Sequence, residues 1–103
     1  RIKSNQHWLD AKEKKHMQPK GYKMKVDASA DFHTYAVEWT PEKIVWYLDN
    51  KKIKTSRQGM KYFTYKMHII INNEVSNTND MILENAIFPN YFEIDYVRVY
   101  KKK

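Results

Sequence analysis

The sequence predicts an all-β protein, an antiparallel β-sandwich, on three observations. Runs of β-branched and aromatic residues alternate with polar ones at period two, turn-forming residues separate these runs at short intervals, and no stretch sustains a helical period. No internal repeat and no linker divides the 103 residues, so one small domain is expected.

Residues 2–9 read as a short strand. Residues 10–21 are polar and lysine-rich, with Pro19 and Gly21 as breakers, and are expected to form an exposed loop. Tyr22, Met24 and Val26 then alternate with Lys23, Lys25 and Asp27, the pattern of a half-buried strand, and residues 28–31 lead into the most informative stretch, DFHTYAVEWTPEKIVWYLDN at 31–50. There Tyr35, Val37 and Trp39 share one face, and Ile44, Trp46 and Leu48 share one face after a Thr40-Pro41-Glu42-Lys43 reversal. This is a β-hairpin of good strand formers. Pro41 presets the first central turn position and has no N–H to donate, which suits a connection. Asn50 tolerates the left-handed conformation of the next tight turn. Residues 53–55 pair briefly before a turn around Gly59. The run Met-His-Ile-Ile-Ile-Asn-Asn at 67–73 is expected to be a central strand, being short and β-branched. Residues 76–80 form a polar loop, residues 81–88 are ambiguous, and Pro89-Asn90 turns into a final strand at 92–100.

Aromatics make up 15% of the chain, which with 2 glycines indicates packed structure despite 30% charged residues. The absence of cysteine removes disulfides and thiolate metal sites. No apolar run reaches the roughly 20 residues needed to span a bilayer. Net charge is +7, with basic residues crowded at 12–25, 51–57 and 101–103. The plain reading is solvated loops and a tail. A sulfated or uronic polysaccharide is the alternative that this charge allows. Nucleic acid is disfavoured, because the aromatics follow core periodicity and the lysines fall mainly in turns.

The hairpin at 31–50 and the run Phe92-Glu93-Ile94-Asp95-Tyr96-Val97-Arg98-Val99-Tyr100 together resemble glycoside hydrolase family 16, the laminarinases, lichenases, agarases and carrageenases, with weaker similarity at residues 4–9 and 67–77. The hairpin is closer to laminarinase-like members than to agarase-like ones. The resemblance implies a concanavalin-like β-jelly roll of which residues 1–103 are the C-terminal half. With half the strands removed, one sheet face would be wet and its edges unpaired, so the N-terminal half of the same domain, cleaved or as a separate chain, is the expected partner. A chain that starts at Arg1 with no signal is accordingly read as a fragment.

Family members carry Glu-x-Asp-x-Glu, or the same with one extra residue, on one strand, which aims the carboxyl groups of a retaining mechanism into the cleft. The nearest candidate here, Glu93-Ile94-Asp95-Tyr96-Val97-Arg98, lacks the second Glu and coincides with the family's closing strand. Glu93 and Asp95 are therefore expected to be structural, with no catalytic residue in this chain and the catalytic carboxylates just before Arg1. Ser4-Asn5-Gln6-His7-Trp8 resembles the strand after the catalytic one. By alternation Asn5 and His7 share a face, and they are the first substrate-binding candidates; Gln6 and Trp8 share the other, with Trp8 in the core. Asn72, Glu74 and Asn77 are the second group, on a run where Glu74 replaces a small or aromatic residue and Ser76-Asn77 replaces glycines, which argues against ordinary laminarin or lichenan specificity.

His33 is expected to make a structural hydrogen bond. His16, His33 and His68 show no metal-ligand spacing, and no cofactor is expected; the structural calcium of some family members is not predicted. The implied activity is endo-β-glycanase hydrolysis of a polysaccharide with retention by the complete domain, which the resemblance places outside the cytoplasm as a secreted, periplasmic or cell-surface protein. The chain alone is expected to be inactive. The alternatives are a non-catalytic, lectin-like carbohydrate-binding protein of the same fold, and a basic module for anionic polymers.

Overall fold

A computed structural model describes residues 2–25, 27–72 and 91–101. They are all-β, with two antiparallel sheets and one short 3-10 turn. The chain divides into two compact units, Arg1–Met67 and His68–Lys103.

In the first unit β1 (Ile2–Leu9) pairs antiparallel with β2 (Lys15–Tyr22), in a register that sets Ser4 opposite Lys20, Gln6 opposite Gln18 and Trp8 opposite His16. The expected loop at 10–21 is thus corrected to a tight turn and a strand. The reason lies in Asp10. Its main chain closes the turn through Asp10 N–H to Lys14 O, 3.0 Å, and Glu13 N–H to Asp10 O, 2.9 Å. Its carboxylate Oδ1 accepts the N–H groups of Lys12 and Lys14, each at 2.9 Å, while Glu13 takes the left-handed conformation at φ 59°. Pro19 is tolerated because β2 has a neighbour on one side only among the described residues, so its missing N–H breaks no second ladder. The strand expected at Tyr22, Met24 and Val26 is corrected in turn: Tyr22 ends β2, residues 23–25 belong to no strand, and Val26 lies outside the described residues.

The second sheet has the order β3 (Tyr35–Trp39), β4 (Ile44–Leu48), β5 (Lys51–Ser56). The expected hairpin is present, with Tyr35 opposite Leu48, Val37 opposite Trp46 and Trp39 opposite Ile44. Thr40 closes its reversal, accepting from Lys43 N–H at the side chain, 3.3 Å, and donating its own N–H to Lys43 O, 3.0 Å. Between β4 and β5 both central residues, Asp49 and Asn50, have positive φ, 48° and 66°, as a two-residue hairpin turn that follows the strand twist requires. A bulge at Ile53 then shifts the β5 register between Trp46 and Tyr47. Central β4 gains cover from a neighbour on each side, and Ile44, Val45 and Leu48 on it are buried.

The two sheets meet through β1. Lys54, 5% exposed, holds its ammonium over Trp46, with Nζ 4.5 Å from the ring centroid, and donates to Ser4 O at 2.8 Å. Gln6 donates from Nε2 to Gln58 O at 2.6 Å. Gly59, at φ 65°, then opens the 3-10 turn Met60–Tyr62 and lets the chain pass directly under the Trp8 indole. The β3 row is different. Tyr35, Val37 and Trp39 remain 57%, 60% and 43% exposed, so the same face that is covered over β4 and β5 is open over β3.

In the second unit no strand is formed among the described residues. The expected central strand is absent at 67–72, with Asn73 outside the described residues, and the expected final strand at 92–100 is likewise absent. Ile69, Ile70, Ile94 and Val99 are exposed, and Arg98 lies 4.4 Å from the Tyr96 ring centroid. These runs have strand composition, but a strand exists only where a neighbour accepts from its N–H groups and donates to its C=O groups, and no such ladder forms among the described residues of this unit.

Candidate functional site

Alternation along β1 creates two unlike faces. Ser4 and Gln6 are 6% and 3% exposed and anchor the strand inward, whereas Lys3, Asn5, His7 and Leu9 point to solvent. Asn5 and His7, the first two sequence candidates, are therefore neighbours on the outer face, about 7 Å apart at roughly 3.3 Å of rise per residue. The pairing with β2 adds exposed Lys15, opposite Leu9, and exposed Met17, opposite His7. Lys15 and Met17 were not among the sequence candidates. Their period-two spacing was present in the sequence, but the lysines around them and the breakers Pro19 and Gly21 outweighed it.

The inward face fixes how the outer one is presented. Trp8 is half-buried, stacked on His16 at 5.3 Å and 11°, and meets Phe63 edge-on at 6.0 Å, which supports its assignment to the core. His16 in turn holds Asp10 Oδ2 at 2.9 Å from Nε2. An ionised carboxylate accepts only, so the His16 nitrogen facing it carries a proton. The His16 hydrogen bond, followed by the Lys14 and Lys12 amides, holds the Asp10 carboxyl below its ordinary value of 3.8. His33 has the structural role expected of it: Nδ1 lies 2.7 Å from Asp49 Oδ2, Asp49 Oδ1 accepts the Thr34 N–H at 2.8 Å, and Asp49 too is held below 3.8.

Asn72 is exposed in the second unit, and Glu74 and Asn77 lie outside the described residues. Glu93 and Asp95 are exposed there, on a segment without regular structure. The outer face of β1 and β2 can accept from and donate to hydroxyls through Asn5 and His7, yet among its described residues it presents no carboxylate. Two-carboxyl chemistry is not available on this face by itself. Among the described residues no group of three or more His, Asp or Glu gathers to hold a metal ion, and no helix is long and apolar enough to cross a membrane.

An exposed Asn-x-His row on a strand anchored by Ser4, Gln6 and Trp8 coincides with a family-wide match. The model for glycosyl hydrolases family 16 covers residues 1–96. The chain belongs to glycosyl hydrolase family 16. It is 33% identical over 86 residues to a beta-glucanase of Rhodothermus marinus, an alignment covering 72% of this chain and 30% of that protein. A beta-glucanase of Bacillus subtilis is 30% identical over 76 residues, 74% of this chain and 31% of that protein. The kappa-carrageenase of Pseudoalteromonas carrageenovora is 28% identical over 92 residues, 80% of this chain and 23% of that protein. The chain thus spans about a third or less of the length of these relatives. No solved structure matches it.

Proposed function

We propose that this chain is the C-terminal part of an endo-β-glycanase domain that cleaves polysaccharides with retention, contributing part of the β-sandwich and one wall of the cleft. The observation that carries the reading is the outward Asn5 and His7 pair on a rigidly anchored strand of a family 16 chain. In this reading the nucleophile and the acid/base are carboxylates of the sequence before Arg1, which supplies the remaining strands. The open Tyr35, Val37 and Trp39 row supports such a partner, since an apolar sheet face is stable when another layer covers it. His7 and Asn5 bind sugar hydroxyls beside the scissile bond, and Asn72, Glu74 and Asn77 bind in further subsites. The two-carboxyl mechanism uses no cofactor. A polymeric substrate is met outside the cytoplasm, in keeping with a secreted, periplasmic or cell-surface enzyme.

The test is to recover the upstream sequence and produce the whole domain. The whole domain should release oligosaccharides from a soluble β-glucan with the anomeric configuration retained in the first product seen by NMR, and this chain alone should release none. His7→Ala in the whole domain should lower kcat/KM about tenfold, the loss of one or two substrate hydrogen bonds, without changing Tm. Cleavage by the lone chain, or an unaffected His7→Ala enzyme, refutes the assignment. The lectin-like reading is equally compatible with the carboxylate-free outer face, and an upstream sequence with neither Glu-x-Asp-x-Glu nor its one-residue-longer form would favour it.

A further inference from the structure

The outer face of β1 and β2 carries charge as well as hydrogen-bonding groups. We propose that it takes an acidic polysaccharide, a chain bearing carboxylate or sulfate groups, a refinement that rests on the glycan-binding reading of Asn5 and His7 above. Exposed Lys3 stands at one end of the row and exposed Lys15 at the other, opposite Leu9. The two are separated by about 20 Å along the strand, with Asn5 and His7 between them. Exposed Lys12 and Lys14 continue the basic run into the turn. From Ile2 to Tyr22 five lysines face two carboxylates, Asp10 and Glu13. Of these, Asp10 is engaged within the hairpin by His16 and by the Lys12 and Lys14 amides, and Glu13 is exposed at the tip of the turn.

Lysines that serve only solubility need no particular companions. These two alternate onto the face that presents Asn5, His7, Leu9 and Met17, a combination that meets each part of a charged sugar chain. Ammonium groups attract the anionic substituents, the Asn5 amide and His7 ring meet hydroxyls, and Leu9, 52% exposed, and Met17, 55% exposed, offer apolar area to the C–H faces of sugar rings. A neutral glucan would leave the two ammonium groups without counter-charge. A polyanion is also drawn in from a distance by a chain of net charge +7.

Affinity electrophoresis of the full chain through gels containing a soluble β-1,3-glucan, its carboxymethylated form, its sulfated form or a single-stranded oligonucleotide tests the proposal. Either or both charged glucans should retard the chain at least about tenfold more strongly than the neutral one, and which does so separates carboxylate from sulfate recognition. Retardation should weaken as NaCl rises from about 0.1 M to about 1 M and the screening length falls from about 10 Å to about 3 Å. Lys3→Gln/Lys15→Gln should lose about tenfold in affinity, the loss of two exposed ion pairs, and Lys3→Arg/Lys15→Arg should keep it. Lys51→Gln/Lys52→Gln removes the same charge from β5 and should change affinity less than about twofold. An equal loss from the β5 variant, or equal binding of the oligonucleotide, overturns the proposal, since either reduces the effect to bulk charge. Neutral glucan bound as tightly as the charged forms overturns the proposal and leaves the glycan-binding reading intact. Failure of every glucan to bind overturns both.

Discussion

Gly59→Ala should be among the most damaging single substitutions in the first unit. Gly59 sits at φ 65°, where an alanine pays about 1–2 kcal/mol for the left-handed conformation. A Cβ there would stand 2.5 Å from Trp8 Cε2, 2.8 Å from Cδ2 and 2.9 Å from Cζ2. Carbon atoms pack at about 3.5–4.0 Å, so the indole has to retreat by about 1 Å. That displacement disturbs its stack on His16 and its edge contact with Phe63, an overpacking cost of about 1–3 kcal/mol. The total is about 3 kcal/mol, a large share of the stability of any small domain. Urea titration followed by circular dichroism should show the midpoint falling by about 2 M at a slope of about 1.5 kcal/mol per M. Two further variants separate the causes. Gly59→Asn keeps the clash but tolerates the backbone, and should be the milder change by about 1 kcal/mol. In a Trp8→Ala background Gly59→Ala should cost only the backbone part, leaving a coupling of about 1.5 kcal/mol in a double-mutant cycle. A Gly59→Ala cost below about 0.5 kcal/mol, or the same cost with and without the indole, refutes the reasoning.

Three other outcomes are expected. Because Asp10 and Asp49 are held below 3.8 by hydrogen bonds, the unfolded chain binds more protons than the folded one there; the stabilisation is present above pH 3.8 and is lost as pH falls through the lowered values. Asp10→Asn/Asp49→Asn should therefore flatten the fall of Tm between pH 5 and pH 2, and an unchanged slope would dismiss these carboxylates as the cause. Lys54→Ala removes the bond to Ser4 O and the Trp46 contact and should cost about 2 kcal/mol in the same urea titration, with Lys54→Met milder because the stem still packs; equal stability of all three would show that the buried ammonium contributes nothing. Val37 is 60% exposed, so Val37→Lys should leave the isolated chain within about 0.5 kcal/mol of the original while abolishing its native-state association with the upstream part of the domain, as read by native mass spectrometry; association that survives would place the covering layer elsewhere.

Local patterns carried much of this fold. The hairpin at 31–50 was legible because period-two alternation, Thr-Pro-Glu-Lys and Asp-Asn are each short-range signals that agree. The inward Gln6 and outward Asn5 and His7 followed from the same alternation. The sequence-level view failed at β2, where local lysine and proline content argued for a loop while Asp10 closed a turn and Trp8 found His16 across the strand pair. It failed again at 67–72 and 92–100, where strand-forming composition was present without a strand, since pairing is a property of the neighbour as much as of the segment. Lys54 belongs to the same class: nothing local separates it from Lys51 and Lys52, yet the bulge at Ile53 and the approach of β1 bury it against Trp46.

By itself, then, the sequence determined the family, the all-β class, the face that each β1 residue occupies and the failure of the run from Glu93 to Arg98 to match the family's carboxylate motif. Those are consequences of residue identity and period. Only the tertiary structure decided that Lys15 and Met17 join Asn5 and His7, that Trp8 rests on His16 and Gly59, and that the β3 row is left open. Each of these depends on register and on contact between segments up to about fifty residues apart, and chain connectivity alone encodes neither.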